Sequence, residues 1–260
     1  MNNQIINIVK NAYSHLNLTN CMIPISQIEQ GLIDKRYDIV SEHPLVLVES
    51  HTGFNQLYYF LESGDIDSIS GINNDLLLSY SPLYADITLK TDFQYEGSVF
   101  SDLGFKPFRK YIRKSVVNSN LKIRRMMDTQ FATLDNLNEI KNLLDSQFDL
   151  MADHIPTDIE LAALIQRQQV LIIPINGVIA GTLLFEDIGK RSYASALCVS
   201  PDYQNSFVGY SLLADYFIRH DMDKTRLFYL WVDEANVSVK KLHDRFGYRF
   251  DGLNNYIFRR

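Results

Sequence analysis

Apolar residues along this chain follow two spacings, one typical of helices and one typical of strands. Residues 4–16 place apolar side chains, among them Ile5 and Ile8, three or four positions apart and predict an amphipathic helix. Further helices are predicted near 25–33, 95–103, 135–151, 157–168, 209–217 and 239–246. Short apolar runs predict strands at 45–48, 56–61, 76–80, 87–90, 121–124, 170–173, 178–186, 192–199, 227–232 and 256–258.

Turn and capping signals support these boundaries in the second half of the chain. Asn176 and Gly177 separate two apolar runs and form the strongest hairpin signal in the sequence. Thr157 and Glu160 have the spacing of a capping box, which starts a helix. The resulting order is strand, two helices, three antiparallel strands, helix, strand, helix, strand. We therefore expect an α/β (α+β) fold with a mixed, mostly antiparallel sheet flanked by helices.

The stretch 195–213 joins one of these strands to one of these helices. The strand ends at Pro201, a small-polar loop holds Asn205 and Ser206, and apolar residues return at helical spacing after Gly209. The first N–H groups of a helix have no partner within the helix, and its dipole places partial positive charge there. The loop therefore suits a phosphate group.

Two motifs in this half resemble those of the GNAT N-acyltransferase superfamily. The first has the form Val-x-Pro-x-Tyr-(Arg/Gln)-x-x-Gly-x-(Gly/Ala) and is matched by Val199, Pro201, Tyr203, Gln204 and Gly209. Phe207 departs from it, because the family normally has glycine there. The second motif, strand-Asn-helix-Gly-(Phe/Tyr)-strand, is matched by Asn236, Gly247 and Tyr248. Any strand–turn–helix joint is the alternative for the first motif alone, but the two motifs occur in the family's order.

An internal repeat extends the resemblance to the first half. Shifted by 143 residues, the segment 87–93 aligns with 230–236 and 102–106 aligns with 245–249. The same shift finds no counterpart of the phosphate loop, so the first half resembles a degenerate GNAT domain without a cofactor loop. We expect a tandem of two GNAT-like domains, residues 1–118 and 119–260. Coincidence between two similar strand–helix–strand units remains the alternative.

The resemblance implies acyl transfer from acetyl-CoA to an amine by direct attack. It implies that the pantetheine arm pairs with Leu197, Cys198 and Val199 as an added strand. The pyrophosphate would contact the loop Gln204, Asn205, Ser206, Phe207, Val208, Gly209 and Tyr210, with Asn236 also at the cofactor. Two outcomes are open for Phe207: its ring turns away from the ligand, or it is a hydrophobic plug that weakens binding of the cofactor.

The resemblance also gives candidates for proton transfer. His243 occupies the position of the family's proton-donating tyrosine, and an imidazolium can donate near neutral pH. Tyr248 or Tyr210 is the alternative donor. Glu186 is the main candidate for the base that receives the amine proton, with Asp233 and Glu234 as alternatives, whereas His154 and His220 are expected to be exposed.

Composition limits the remaining possibilities. With 25 Lys and Arg against 31 Asp and Glu, the 260-residue chain has a net charge of −6, which favours neither nucleic acid nor an anionic membrane. Two distant cysteines and no signal peptide or membrane-length apolar run predict a cytoplasmic protein. We expect no metal, a small-molecule or peptide amine as partner, and a monomer or homodimer. A non-catalytic acyl-CoA-binding or interaction protein is the alternative function.

Overall fold

The computed structural model of the protein describes residues 3–13, 18–21, 23, 25–61, 65–117, 123–149, 151–220 and 227–260. It contains two compact units. Unit 1 comprises Met1–Tyr111 together with Gly252–Arg260, and unit 2 comprises Ile112–Asp251. The boundary predicted at 118/119 lies outside the described residues, and the two predicted domains remain a prediction.

Unit 1 has helices and strands in the order α1, α2, β1, β2, β3, α3, β4, α4, β5. Their bounds are α1 Asn3–Ala12, α2 Ile25–Ile33, β1 Tyr37–Glu42, β2 Leu45–His51, β3 Phe54–Phe60, α3 Asn74–Leu78, β4 Leu83–Leu89, α4 Val99–Asp102 and β5 Lys106–Val117. Strands β1, β2 and β3 pair antiparallel, whereas β3 and β4 are parallel. The segment predicted as a strand at 76–80 begins instead in helix α3, because Asn73 accepts hydrogen bonds from the N–H groups of Asp75 and Leu76 and starts a helix there.

The second set of elements lies in unit 2, except that Gly252–Arg259 of β11 belongs to unit 1, and it follows the predicted order from the first helix onward. Their bounds are β6 Gln130–Phe131, α5 Leu137–Gln147, α6 Asp158–Gln166, β7 Val170–Ile175, β8 Val178–Ile188, β9 Arg191–Val199, α7 Val208–Arg219, β10 Leu227–Asp233, α8 Val237–Arg245 and β11 Arg249–Arg259. The hairpin at Asn176 and Gly177 is confirmed, with φ of 53° and 82°, as is the capping box at Thr157. Of the strand predicted at 121–124, residues 123–124 are irregular and the others lie outside the described residues.

Both units repeat one order of elements. Each has two helices, three antiparallel strands, and a fourth strand that is parallel to the third. Where unit 2 has α7, the described residues of unit 1 have a 3-10 turn at Ile66–Gly71 and the five-residue helix α3. The predicted fold class, a mostly antiparallel sheet flanked by helices and present twice, is confirmed. The cofactor loop has no counterpart in the described part of unit 1.

The C-terminal strand β11 follows the second set of elements along the chain, but most of it belongs to unit 1. Its residues Asn254–Arg259 pair antiparallel with β4 of unit 1. Phe258 is buried in the unit 1 core and stacks on Phe100, with ring centroids 4.4 Å apart. The strand predicted at 256–258 therefore exists, but it belongs to unit 1. Residues Ile112–Val117 of β5 contribute to unit 2, whose strand order is β5-β10-β9-β8-β7-β6.

The sheet of unit 2 has a hydrophobic core on each face. Leu212, Leu213 and Phe217 of α7 pack on one face together with α8. Ile140 of α5 and Leu161 of α6 belong to the core on the other face. The loop between β9 and α7 therefore connects the end of a strand to the start of a helix at the core formed with α7 and α8.

Candidate functional site

The loop between β9 and α7 exposes a row of backbone donors. Asn205 and Phe207 adopt left-handed backbone conformations, with φ of 64° and 62°. The first backbone hydrogen bond of α7 runs from Ser211 N–H to Phe207 O at 2.8 Å. Within the described residues, the backbone N–H groups of residues 205–210 have no hydrogen-bond acceptor. Unsatisfied N–H groups at a helix start are the donors that a phosphate requires.

Phe207 is the N-cap residue of α7 and has a left-handed backbone conformation. A non-glycine residue in the left-handed region costs roughly 1–2 kcal/mol, since Cβ approaches the following carbonyl oxygen. Its side chain is 59% exposed. The ring therefore lies outside the core beneath α7, and the two outcomes open for its effect on the cofactor remain predictions.

Strand β9 has an unpaired stretch immediately before this loop. Pairing with parallel β10 runs from Leu227↔Arg191 to Tyr229↔Tyr193. Beyond that point, residues 197–199 pair with β8 on one side, and no strand of the described chain pairs with the other side. This backbone edge can accept an added extended chain.

Cys198 is one of the three residues predicted at this edge, but its side chain is directed into the protein. Its thiol points into the core near α5 and lies 3.7 Å from Leu143 O. Burial raises the pKa of this thiol to about 12. Leu197 and Val199 are half-buried and point to the opposite face. Only the backbone of Cys198 is therefore available to a ligand at this edge.

Gly181 on β8 is a site residue that the sequence analysis missed. A Cβ added there would lie 2.5 Å from Val208 Cγ1 and 3.0 Å from Cys198 O. Glycine at this position thus lets the first turn of α7 approach the sheet. At Gly209, by contrast, a Cβ would make ordinary contacts of 3.4 Å with Leu242 and Val199. A glycine inside a strand was the available sequence signal.

His243 lies near the C-terminal end of α8 and is only 3% exposed. Burial, and next the positive charge of Lys114, lower the pKa of its imidazole to about 3. Lys114 is held beside it, with Nζ donating to Asp244 Oδ1 at 2.6 Å. The imidazole Nδ1 is buried and has no partner among the described residues. The ring is therefore neutral near pH 7, and the proton-donor role of His243 remains a prediction.

Tyr248 is also inaccessible. It is fully buried in the core beneath α7, where its ring packs against Phe217 at 5.7 Å and against His243 at 5.7 Å. Burial raises the pKa of its phenol well above its ordinary value of 10. Its hydroxyl has no partner within the described residues. Core packing encloses Tyr248, and its role as a proton donor remains a prediction.

The remaining proton-transfer candidates lie at different places. Glu186 is half-buried on β8. Asp233 caps the turn after β10 by accepting from Ala235 N–H at 2.8 Å, and Glu234 is exposed. His154 is exposed, as expected, but His220 is not. Its Nε2 lies 2.9 Å from Asp187 Oδ1, which makes it a structural contact.

The sequence profile of the Acetyltransferase (GNAT) family matches residues 137–248, the segment that contains the loop, the β9 edge and α8. Residues 137–248 are therefore similar to a GNAT domain, and we refer to this segment as the GNAT domain. No curated protein matches the sequence significantly.

Solved structures extend the GNAT likeness beyond the matched segment. A GCN5-related N-acetyltransferase from Sphaerobacter thermophilus has a TM-score of 0.60 at 12% identity, covering 83% of this chain and 76% of that chain. A GNAT-family acetyltransferase from Colwellia psychrerythraea has a TM-score of 0.56 at 12% identity, covering 100% and 97%. A tandem GNAT protein from the clavulanic acid biosynthesis pathway has a TM-score of 0.61 at 11% identity, covering 99% and 93%. Identities this low show the fold alone, and the tandem fold spans the whole chain.

Within the GNAT domain, Asn236 has a role in local structure. It precedes α8, is exposed, and its side-chain oxygen accepts from Val239 N–H at 3.1 Å. This cap fixes the start of the helix that carries His243. The amide nitrogen of Asn236 makes no recorded hydrogen bond to another described residue. Whether it contacts a cofactor remains a prediction.

An ion cluster anchors the middle of α7 in the GNAT domain. Asp215 is completely buried and accepts from Arg125, Thr129 and Arg219. The sequence analysis missed Asp215, although an acidic residue on the apolar face of a helix could have indicated it. A carboxylate buried in this way requires charged partners. The cluster ties α7 to the segment before β6 and so helps to fix the helix that starts at the phosphate loop.

The described residues contain no group of three or more His, Cys, Asp or Glu side chains arranged to hold a metal ion. No helix formed by these residues is both long and apolar enough to cross a membrane.

Proposed function

We propose that this protein is an N-acetyltransferase that transfers an acetyl group from acetyl-CoA to a primary amine of a small molecule or peptide. The observation that carries the proposal is the free edge of β9, which leads directly into the N–H-rich loop at the start of α7. An extended arm followed by a diphosphate matches these two features in the same order. The GNAT profile covers both of them.

The residues present fit acetyl-CoA. Backbone groups of Leu197, Cys198 and Val199 would hold the pantetheine arm. The N–H groups of the loop would hold the pyrophosphate; its residues are Gln204, Asn205, Ser206, Phe207, Val208, Gly209 and Tyr210. Because these contacts use backbone donors, Phe207 is compatible with binding as long as its ring stays exposed.

When bound, acetyl-CoA supplies an activated thioester carbon that an uncharged amine can attack. In this proposal the amine proton passes to water; the role of base predicted for Glu186, a half-buried carboxylate on β8 next to β9, stays the alternative. His243 and Tyr248 are both buried, and this proposal requires no side chain to donate a proton to the leaving sulfur. A thiol of ordinary pKa, about 8.5, leaves as a thiolate that water can protonate. In this proposal, positioning contributes more than acid catalysis.

A non-catalytic acyl-CoA-binding protein is the second candidate. The specific observation that favours it is the burial of both predicted proton donors, His243 and Tyr248. Calorimetry with acetyl-CoA tests the binding that both candidates share. A thiol-release assay over a panel of amines then separates them: turnover supports the transferase, and binding without turnover supports the second candidate.

The cellular location is part of the same proposal. Cys21 and Cys198 are both free and buried. Unpaired thiols are typical of a reducing compartment, and we propose the cytoplasm. Labelling of the protein in intact and lysed cells would test this location.

A further inference from the structure

Side chains from four strands of unit 2 form a row on one face of the sheet. Glu186 on β8 is the register partner of Tyr193 on β9, and Tyr193 is the register partner of Tyr229 on β10. The two tyrosine rings stack with centroids 5.0 Å apart and an interplanar angle of 13°. The guanidinium carbon of Arg113 on β5 lies 5.8 Å from the Tyr229 ring centroid. We call Glu186, Tyr193, Tyr229 and Arg113 the tyrosine row.

The tyrosine row lies on the face of the sheet opposite to α7. Phe228 and Leu230, the neighbours of Tyr229 on β10, belong to the core beneath α7. Successive side chains of a strand point to opposite faces, so Tyr229 points away from that core. All four members of the row are half-buried, so part of each side chain remains accessible.

The tyrosine row also marks the point where β9 and β10 separate. Tyr229↔Tyr193 is the last register pair between these parallel strands. The unpaired edge at 197–199, assigned above to the pantetheine arm, begins a few residues further along β9. A molecule on the row would therefore lie close to the thioester end of that arm.

The two ends of the tyrosine row differ in charge. Arg113 at one end is neutralised by Asp251, with Nε to Oδ2 at 2.8 Å. Glu186 at the other end has no ion pair or hydrogen bond recorded with any residue of the described chain. Burial, and next the neighbouring groups of Tyr229, Glu186 and Asp153, raise the pKa of the Tyr193 phenol, so this tyrosine stays uncharged. An unpaired, half-buried carboxylate beside an aromatic face attracts a cation.

We propose that Glu186, Tyr193 and Tyr229 form the acceptor subsite and that it selects a primary amine carrying a second, protonated amino group. This inference rests on the proposed function. The protonated group binds between Glu186 and the tyrosine rings, while the other, uncharged nitrogen reaches the thioester. That nitrogen forms the new N–C bond as the C–S bond breaks; its proton passes to water, and the thiolate leaves. Glu186 anchors the acceptor, and water is the base.

The test compares two acceptors of equal length, 1,4-diaminobutane and butylamine, in a thiol-release assay with saturating acetyl-CoA and the full chain. We expect the wild-type protein to have a KM for the diamine at least tenfold below that for the monoamine, as a hydrogen-bonded charge pair predicts. Glu186→Gln removes the charge with little change of shape. It should raise the diamine KM on the order of tenfold, leave kcat within about threefold, and leave the monoamine KM unchanged. Asp145→Asn, which removes an exposed carboxylate on α5, is the matched control and should change neither KM.

The outcomes separate the acceptor subsite from the proposed function. Turnover of both amines with equal KM in the wild-type protein overturns the subsite and leaves the acetyltransferase standing. A Glu186→Gln variant that loses kcat equally for both amines assigns Glu186 to the base and also overturns the subsite. Binding of acetyl-CoA without turnover of any amine, or no binding of it, overturns both proposals. The wild-type comparison decides the subsite even if Glu186→Gln fails to fold.

Discussion

The buried imidazole of His243 predicts an acid sensitivity of folding that can be calculated from the structure. Burial and the charge of Lys114 hold the pKa of His243 at about 3 in the folded protein, against an ordinary value of 6.5 in the unfolded chain. Well above pH 6.5 the ring is neutral in both the folded and the unfolded state, so the free energy of unfolding does not change. Below pH 6.5 the unfolded chain binds a proton that the folded protein does not, so stability falls as the pH falls and levels off near pH 3.

The size of the effect follows from the two pKa values. Between them the free energy of unfolding falls by about 1.4 kcal/mol per pH unit. Between pH 7 and pH 5 the two values, 6.5 and about 3, give a loss of about 2 kcal/mol from this one residue. His243→Leu removes the titrating group but keeps a side chain of similar volume. We expect the variant to lose about 2 kcal/mol less than the wild-type protein over this interval.

The assay is urea unfolding at pH 7 and pH 5, followed by intrinsic fluorescence, together with NMR titration of the histidine ring protons. His154→Asn is the matched control, since His154 is exposed and has a left-handed backbone that asparagine tolerates. It should reproduce the wild-type difference between the two pH values. An NMR pKa near 6.5 for His243, or the same pH difference in the wild-type and His243→Leu proteins, would refute the reasoning. It would also restore His243 as a possible proton donor.

Three further predictions follow from the packing of the loop and of the last strand. Phe207→Gly should raise the free energy of unfolding by about 1 kcal/mol because it removes the left-handed strain, whereas Phe207→Ala keeps Cβ and should not; equal denaturation curves for the two variants would contradict this. Gly181→Ala should destabilise the protein by about 1–3 kcal/mol and weaken acetyl-CoA binding in calorimetry, since its Cβ meets Val208. Gly71→Ala is the control, because the space around an added Cβ at Gly71 is open. An unchanged affinity of Gly181→Ala for acetyl-CoA would count against a role for Gly181 in shaping the loop. Phe258→Ala should cost about 3–5 kcal/mol in unit 1, measured by hydrogen exchange of β4 amides, and loss of protection confined to unit 2 would contradict the placement of β11.

Much of the fold and part of the candidate site could be predicted from local pattern. The spacing of apolar residues predicted most helices and strands of unit 2, and the Asn176-Gly177 turn fixed a hairpin. The segment at 76–80 was predicted wrongly, since its apolar run reads equally as a strand or as a helix and the cap at Asn73 decided in favour of the helix. Gly181 was missed because its importance arises from Val208, on a different element.

The sequence by itself determined the order of elements, their repetition, and the loop that leads from β9 into α7, because these depend on residues that are neighbours along the chain. Only the tertiary structure decided that β11 pairs with β4, and that His243 is neutral. A strand pattern specifies which face is apolar but not which strand becomes its partner. A pKa depends on burial and on charges such as that of Lys114, which only folding brings beside the ring.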